Sequence, residues 1–186
     1  MMKLSRGMGL LVALVIAAAA GGCGGELGNG QYGEQTRDVN AFNRLDISGA
    51  VSVVVKVDPD AEPRVLITGD DNLLDAIGTT VGQHTLEIWN ERPVMPEIPL
   101  EVVVTMPNLR AIDASGASDI RATGIKSARV DLDVSGASTV LLQGKANDLR
   151  MNLSGASEVD AQYLFTDDVD IDSSGASDIN VCVQAG

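Results

Sequence analysis

Ser115-Gly116-Ala117-Ser118 is the first of four copies of one tetrapeptide, which returns at Ser135, Ser154 and Ser174. The first serines of the copies are 20, 19 and 20 residues apart, and a shorter copy, Ser48-Gly49-Ala50, lies upstream. A constant period of this length is typical of proteins built from one repeated structural unit. The tetrapeptide therefore indicates a repeat architecture in the last part of the chain.

The residues around each copy keep the same order of apolar and polar side chains. Apolar residues recur three positions before the first serine and five positions after it, as Ile112, Leu132, Met151 and Ile171, and as Ile120, Val140, Val159 and Ile179. Polar residues lie between them, so that apolar and polar side chains alternate with a period of two. That alternation predicts strands with one buried face, and it places two short strands in each repeat, joined at the tetrapeptide.

A unit of two short strands cannot bury its apolar face alone. Stacking one unit on the next lets each strand form hydrogen bonds with the strands above and below it, and it brings equivalent residues ~4.8 Å apart. Glycine suits the corner, because it adopts positive φ without a Cβ clash. A leucine-rich repeat has a similar period but needs regular Leu and Asn positions that this chain lacks. We therefore predict an all-β chain folded as a parallel β-solenoid with coils of about 20 residues.

Residues 41–109 carry strand patterns without the repeated tetrapeptide. Strands are predicted at 51–57, 65–67, 79–81, 85–89 and 100–106, and one helical turn is predicted at 72–77. Asp70 or Asp71 is the expected N-cap of that turn. We interpret 41–109 as the irregular, capping part of a single domain at 41–186, whose repeats occupy 110–186. The sequence shows no cap after the fourth copy, which indicates a strand edge used for association or a chain that continues.

The first residues resemble an export signal. Lys3 and Arg6 precede an apolar stretch, 9–20, that is too short to span a bilayer. It leads into Ala20-Gly21-Gly22-Cys23, which resembles the lipobox of bacterial lipoproteins, where the signal is cut before a cysteine that becomes acylated. We predict a signal peptide at 1–22, a lipid on Cys23 that anchors the chain to a membrane, and a flexible tether at 23–40. An ordinary secretory signal followed by a chance cysteine is the alternative.

The charge of the chain limits its partners. There are 26 acidic and 13 basic residues, which give a formal net charge of −13. Nucleic-acid binding requires basic patches that neutralise phosphates, so that we expect no nucleic-acid partner. The acidity favours solubility and attracts cations.

Stacked coils would place oxygen ligands in two rows that calcium could bind. One row contains Asp113, Asp133, Asn152 and Asp172, and the other contains Asp119, Glu158 and Asp178, interrupted by Thr139. Like charges at the strand spacing repel, and a bound cation would relieve that repulsion. Carboxylates that spread into water and are screened by salt are the alternative. We expect at most weak calcium binding by these rows and no other cofactor.

Groups for catalysis are poorly represented. The single histidine, His84, lies in a predicted turn far in sequence from the repeated serines, which argues against a serine nucleophile with an imidazole base. A zinc site would need more Cys and His ligands. Enzymes with a β-helix that act on acidic polysaccharides combine Asp clusters with an Arg or Lys base, but the basic residues near the repeats are scattered. We therefore predict that the chain is not an enzyme and has no catalytic residues.

From Phe42 to Val183 the chain resembles the head GIN domain family of putative auto-transporter adhesins. The resemblance rests on the repeats and on two motifs, Leu45-Asp46-Ile47-Ser48-Gly49 and the segment 106–109 that leads into Ile112-Asp113-Ala114-Ser115-Gly116. It implies a right-handed parallel β-helix in a secreted or lipid-anchored bacterial protein. It brings no catalytic residues to this chain.

Three functions stay open on the sequence. The first is a lipid-anchored, adhesin-like module of the bacterial cell envelope that displays a binding face to a protein or glycan. The second is an envelope scaffold that forms homo-oligomers through the last coil, and the third is a polysaccharide-acting enzyme. Gly24 stands directly after Cys23, where an Asp would resemble an inner-membrane retention signal, so that the outer membrane is favoured in a cell that has one.

Overall fold

The structure, a computed structural model, describes residues 24–183, so that the signal peptide predicted at 1–22 and the lipid predicted on Cys23 lie outside the described residues. Strands make up 71% and helix 4% of the described residues, which confirms the all-β class. No helix between Gly24 and Val183 is both long enough and apolar enough to cross a membrane.

The strands of this range are β1 (Glu26–Leu27), β2 (Tyr32–Asp38), β3 (Arg44–Gly49), β4 (Ser52–Val57), β5 (Arg64–Asp70), β6 (Ile77–Gly82), β7 (Thr85–Asn90), β8 (Val94–Met95), β9 (Glu101–Met106), β10 (Ala111–Gly116), β11 (Asp119–Gly136), β12 (Thr139–Gly155), β13 (Glu158–Gly175) and β14 (Asp178–Val183). A 3₁₀ helix, Asp71–Ala76, follows β5. Strands β1 and β8 pair as a two-stranded ribbon, and the other twelve form one curled sheet. The long strands β11, β12 and β13 each run from one tetrapeptide to the next.

Consecutive repeats pair in parallel and in register. Ile112 lies opposite Leu132, Leu132 opposite Met151, and Met151 opposite Ile171. The upstream copy joins the same stack, because Ser48 lies opposite Ser115. The predicted rows of equivalent residues are therefore confirmed.

The apolar rows form the core of the stack, except in its last coil. Ile112, Leu132 and Met151 are all fully buried, whereas Ile171 is 43% exposed. The neighbouring apolar row shows the same change, since Val159 is buried and Ile179 is partly exposed. Each coil is thus covered by the next one. Among the described residues, β14 is the only strand that pairs with β13 on the side away from β12.

The tetrapeptides form the corners of the stack, where backbone groups of successive coils bond directly. The amide N–H of Ala137 donates to the carbonyl oxygen of Gly116, and that of Ala156 donates to Gly136, both at 2.8 Å. Gly136 has φ of +90°, and a Cβ atom on it would lie 2.4 Å from the Gly116 oxygen. Only glycine fits this close approach with positive φ.

Antiparallel strands close the other end of the sheet. Strand β7 pairs in parallel with β3 and antiparallel with β6, while β9 pairs in parallel with β4 and antiparallel with β5. The 3₁₀ helix between β5 and β6 buries Leu73 and Leu74. The strands and the helical turn predicted within 41–109 are therefore present, and they belong to the same sheet as the repeats.

The flexible tether predicted at 23–40 is wrong for most of its length. Strand β2 pairs antiparallel with β5 along all seven of its residues, and β1 pairs with β8. Polar composition suggested disorder, but β2 is an edge strand whose polar side chains face water while its backbone completes the ladder. Only Gly24 and Gly25 lie between Cys23 and the first strand.

Candidate binding groove

A groove of about 410 Å³ runs along the corner side of the stack, across the ends of strands β3, β10, β11, β12 and β13. Its walls are the predicted Asp row and the row of first serines: Asp46, Asp113, Asp133, Asn152, Asp172, Ser115, Ser135, Ser154 and Ser174, with inner contacts to Ala114, Val134 and Leu153. Parallel, in-register pairing brings these side chains together, since residues of one row stand one strand spacing apart.

The two serines of each tetrapeptide have different roles. The first serine lines the groove, whereas the second serine is buried in three copies, at Ser118, Ser138 and Ser157. The Ser118 hydroxyl donates to the carbonyl oxygen of Gly49 at 3.1 Å, and the Ser118 amide donates to the Ser138 hydroxyl at 3.3 Å. The buried serines therefore stabilise the corner, and the first serines face the groove.

Asp113 lies in the groove wall, where its surroundings shift the pKa of its carboxyl group. Burial raises its pKa, and the negative charges of Asp133 and Asp46 raise it further. Arg44 opposes this shift, but its guanidinium lies 4.0 Å from the Asp113 carboxylate and both side chains are partly exposed. The groove thus holds more negative charge than its own basic residues compensate, and a cationic ligand would stabilise the ionised form of Asp113.

Asn152 places an uncharged amide in the row of carboxylates. Its side-chain amide donates to the carboxylate of Asp133 at 2.6 Å, which orients both groups along the groove. The amide also separates Asp133 from Asp172, the next carboxylate of the row. The wall therefore contains three successive carboxylates, at Asp46, Asp113 and Asp133, one amide at Asn152 and a fourth carboxylate at Asp172.

The two acidic rows predicted as weak calcium candidates exist as rows, but they do not converge. Asp119 lies opposite Thr139, Thr139 opposite Glu158, and Glu158 opposite Asp178, all pointing into solvent. Within Gly24–Val183 no three or more Asp, Glu, His or Cys side chains are arranged to hold a metal ion. Calcium binding by either row stays a prediction.

His84 lies in the turn between β6 and β7 and serves the backbone of that turn. Gln83 and His84 both have positive φ, at +51° and +63°, as a tight hairpin requires. The His84 carbonyl oxygen accepts hydrogen bonds from the amides of Asn43 and Arg44, at 3.0 and 3.2 Å. The groove lining contains no histidine, and its serines have no imidazole base beside them.

Asp70 has a role that the sequence did not indicate. The predicted N-cap makes no side-chain bond to the 3₁₀ helix. The carboxylate is instead fully buried and accepts three backbone N–H groups, from Gly30 at 2.7 Å, Glu97 at 2.8 Å and Ile98 at 2.9 Å. It joins the segment before β2 to the loop before β9.

Comparison with known proteins agrees with this architecture. The sequence profile of a family described as putative auto-transporter adhesin, head GIN domain, matches residues 41–185. A comparison with curated proteins gives no match.

Several solved structures share this fold. A putative adhesin from Bacteroides fragilis is 19% identical, with a TM-score of 0.65 over 82% of this chain and 81% of that one. A putative adhesin from Parabacteroides distasonis is 15% identical, with a TM-score of 0.58 over 82% of both chains. A putative lipid binding protein from the same organism is also 15% identical, with a TM-score of 0.56 over 80% of this chain and 82% of that one. At these identities the likeness concerns the fold.

Proposed function

We propose that this chain, which belongs to the family described as putative auto-transporter adhesin, head GIN domain, is a lipid-anchored binding module of the bacterial cell envelope without catalytic activity. The observation that carries the binding function is the groove of Asp and Ser side chains along the stacked corners. The adhesin description of the family supports a place at the cell surface, and the lipobox-like sequence at Ala20–Cys23 supports an anchor on Cys23. In a cell with two membranes we place the anchor in the outer one.

We also propose that the coils form a right-handed parallel β-helix. Parallel pairing in register between residues 19 or 20 positions apart supports this arrangement. Connections between parallel strands of one sheet are right-handed in nearly all proteins, which supports the hand.

The ligand that fits the groove best is an extended basic segment of a partner protein. The groove presents carboxylates at Asp46, Asp113, Asp133 and Asp172, and Arg44 is the basic side chain paired with this row. Serine hydroxyls between the carboxylates offer hydrogen bonds to the backbone of such a segment. A protein of net charge −13 attracts a cationic partner over a distance and repels an anionic glycan.

We expect a fluorescent hexalysine peptide to bind the chain in low salt, and the double variant Asp113→Asn, Asp133→Asn to bind it about tenfold more weakly. Fluorescence anisotropy measures both affinities. On acidification, peptide binding should begin to weaken at a higher pH than it would if Asp113 had the pKa of an ordinary aspartate. The pKa of Asp113 is raised, and its protonated form carries no charge.

The matched control is the double variant Asp119→Asn, Asp178→Asn, which removes the same charge from the other acidic row. This variant should bind the peptide almost as well as the native chain. An equal loss in both double variants would mean that the peptide senses only net charge, and the groove would not be the binding site. No binding by the native chain would also exclude a basic segment as the ligand.

The last coil favours a second candidate function, an envelope scaffold of self-associated chains. Strands β13 and β14 expose four large apolar or aromatic side chains: Tyr163, Phe165, Ile171 and Val183. Among the described residues no strand covers this edge, and a second copy meeting it by the same edge would bury these groups. The edge also carries Asp168, Asp170 and Asp172, so that two identical edges repel each other.

Self-association is therefore expected to be weak in low salt and stronger in high salt, where the repulsion is screened. Light scattering should detect dimers that the double variant Phe165→Ser, Val183→Ser does not form. The variant Leu27→Ser, which removes a similarly exposed apolar side chain far from this edge, serves as the control and should still dimerise. A native chain that is monomeric at both salt concentrations would exclude the scaffold function.

A further inference from the structure

We propose that the β1–β8 ribbon rests on the membrane that holds the acylated Cys23, with the side chains of Leu27 and Met95 in the interfacial layer of that membrane. The proposal depends on the lipid anchor proposed above. It adds which surface of the domain faces the lipid and how close the domain lies to it.

The first argument is the length of the chain between the anchor and the fold. Gly25 is already packed, because a Cβ atom on it would lie 2.9 Å from the backbone of Val94. Two residue steps separate Cys23 from Gly25, and an extended chain spans at most ~3.6 Å per residue, so that their Cα atoms are within about 7 Å of each other. The polar layer of one bilayer leaflet is roughly 5 to 8 Å thick. The ribbon therefore begins within or next to that layer.

The second argument is that the ribbon is fastened to the domain and cannot swing away from it. The amide of Glu26 donates to the Pro93 carbonyl oxygen at 3.0 Å, and the Asn72 side chain donates to the Leu27 carbonyl oxygen at 2.9 Å. Arg92 donates to the carboxylates of Glu26 at 2.6 Å and of Asp75 at 2.7 Å. These bonds tie both strands of the ribbon to the 3₁₀ helix, so that an anchor on Cys23 restricts the whole domain.

The third argument is the chemistry of the surface. Leu27 is 68% exposed and Met95 is 55% exposed, and the two are register partners, whose side chains leave a sheet on the same side. Pro93 and Pro96 next to them are exposed as well. The nearby carboxylate of Glu26 is paired with Arg92, which lowers the cost of moving it toward lipid. Burial of Leu27 and Met95 in the interfacial layer would then favour contact with the bilayer.

Fluorescent labels at two positions of equal exposure test this orientation. The mature lipidated chain is purified in detergent, with Cys182→Ser to remove the free thiol, and is reconstituted into phosphatidylcholine vesicles. One sample carries an environment-sensitive fluorophore on Met95→Cys and the other carries it on Val183→Cys, since both native side chains are 55% exposed. We expect blue-shifted emission at position 95, reduced by about half with brominated lipids, and emission typical of water at position 183.

Flotation of the same vesicles separates the two proposals. A chain that floats with the vesicles while the label at position 95 reports water would overturn the ribbon contact and leave the anchor standing. A native chain that does not float, or a Cys23→Ala chain that floats equally well, would overturn the anchor and this proposal with it. Flotation lost in Cys23→Ala, together with the blue shift at position 95 in the native chain, supports both.

Discussion

Replacing Gly136 with alanine is expected to destabilise the stack by about 4 kcal/mol, a large part of the stability of a domain of this size. The new Cβ atom would lie 2.4 Å from the carbonyl oxygen of Gly116, and the residue would keep φ near +90°, where alanine is strained. Neither atom can move easily, because Gly116 and Gly136 belong to backbone ladders on both sides. Urea unfolding followed by circular dichroism measures the loss.

Gly82→Ala is the matched control for this substitution. Gly82 ends β6, and a Cβ atom on it meets nothing within 4 Å. The control should shift the stability by less than about 0.5 kcal/mol. A Gly136→Ala chain as stable as the control would mean that successive corners are not in direct contact, which would contradict the stacking of the tetrapeptides.

The sequence predicted the repeated part of the fold because its apolar residues recur with a nearly constant period. The apolar row of Ile112, Leu132 and Met151 is buried as expected, since each member has an apolar register partner on both sides, with Leu45 and Ile171 as the outer partners. The same periodicity predicted that the Asp and Ser rows stack, and hence most of the groove wall. It also placed Ile171 in the row but could not show its exposure, which depends on whether a further coil covers it.

Contacts between residues that have no repeated spacing in the sequence could not be predicted in this way. The pairing of β2 with β5 joins residues 26 to 38 positions apart, and the two-residue strands β1 and β8 have no periodic pattern. Polar residues such as Glu34 and Gln35 suggest disorder in isolation, although their backbone groups complete a ladder. The raised pKa of Asp113 likewise depends on burial and on charged neighbours from two other strands, β3 and β11.

Gly124 and Gly144, each nine residues after the first serine of a tetrapeptide, show that equivalent positions in the sequence are not always paired in the sheet. Gly124 and Gly144 align in the sequence, yet Gly144 lies opposite Ile125 in the sheet. A register shift between Ala122 and Ile125 accounts for the difference. Both glycines still have positive φ, at +76° and +138°, although they are not register partners.

Asp70→Ala is expected to lower the stability by about 3 to 5 kcal/mol and to release the segment before β2. The substitution removes a buried carboxylate that accepts three backbone N–H groups, and it leaves the amides of Gly30, Glu97 and Ile98 without that acceptor in a partly buried site. Hydrogen exchange measures the release residue by residue. The amides of β1 and β2 should exchange much faster, while those of β12, near the far end of the stack, should change little.

Asp71→Ala is the matched control for this prediction, and the two variants together also test the membrane contact proposed for the β1–β8 ribbon. Asp71 is exposed, and its side chain accepts one bond, from Asn29 at 2.6 Å, so that Asp71→Ala should cost less than about 1 kcal/mol. If Asp70 fastens the anchor segment, its loss converts residues 24–38 into the flexible tether that their composition suggests. A label at position 95 of the lipidated chain should then leave the interfacial layer in Asp70→Ala and remain there in Asp71→Ala. Equal behaviour of the two variants would show that the ribbon is held by other contacts, such as those of Arg92.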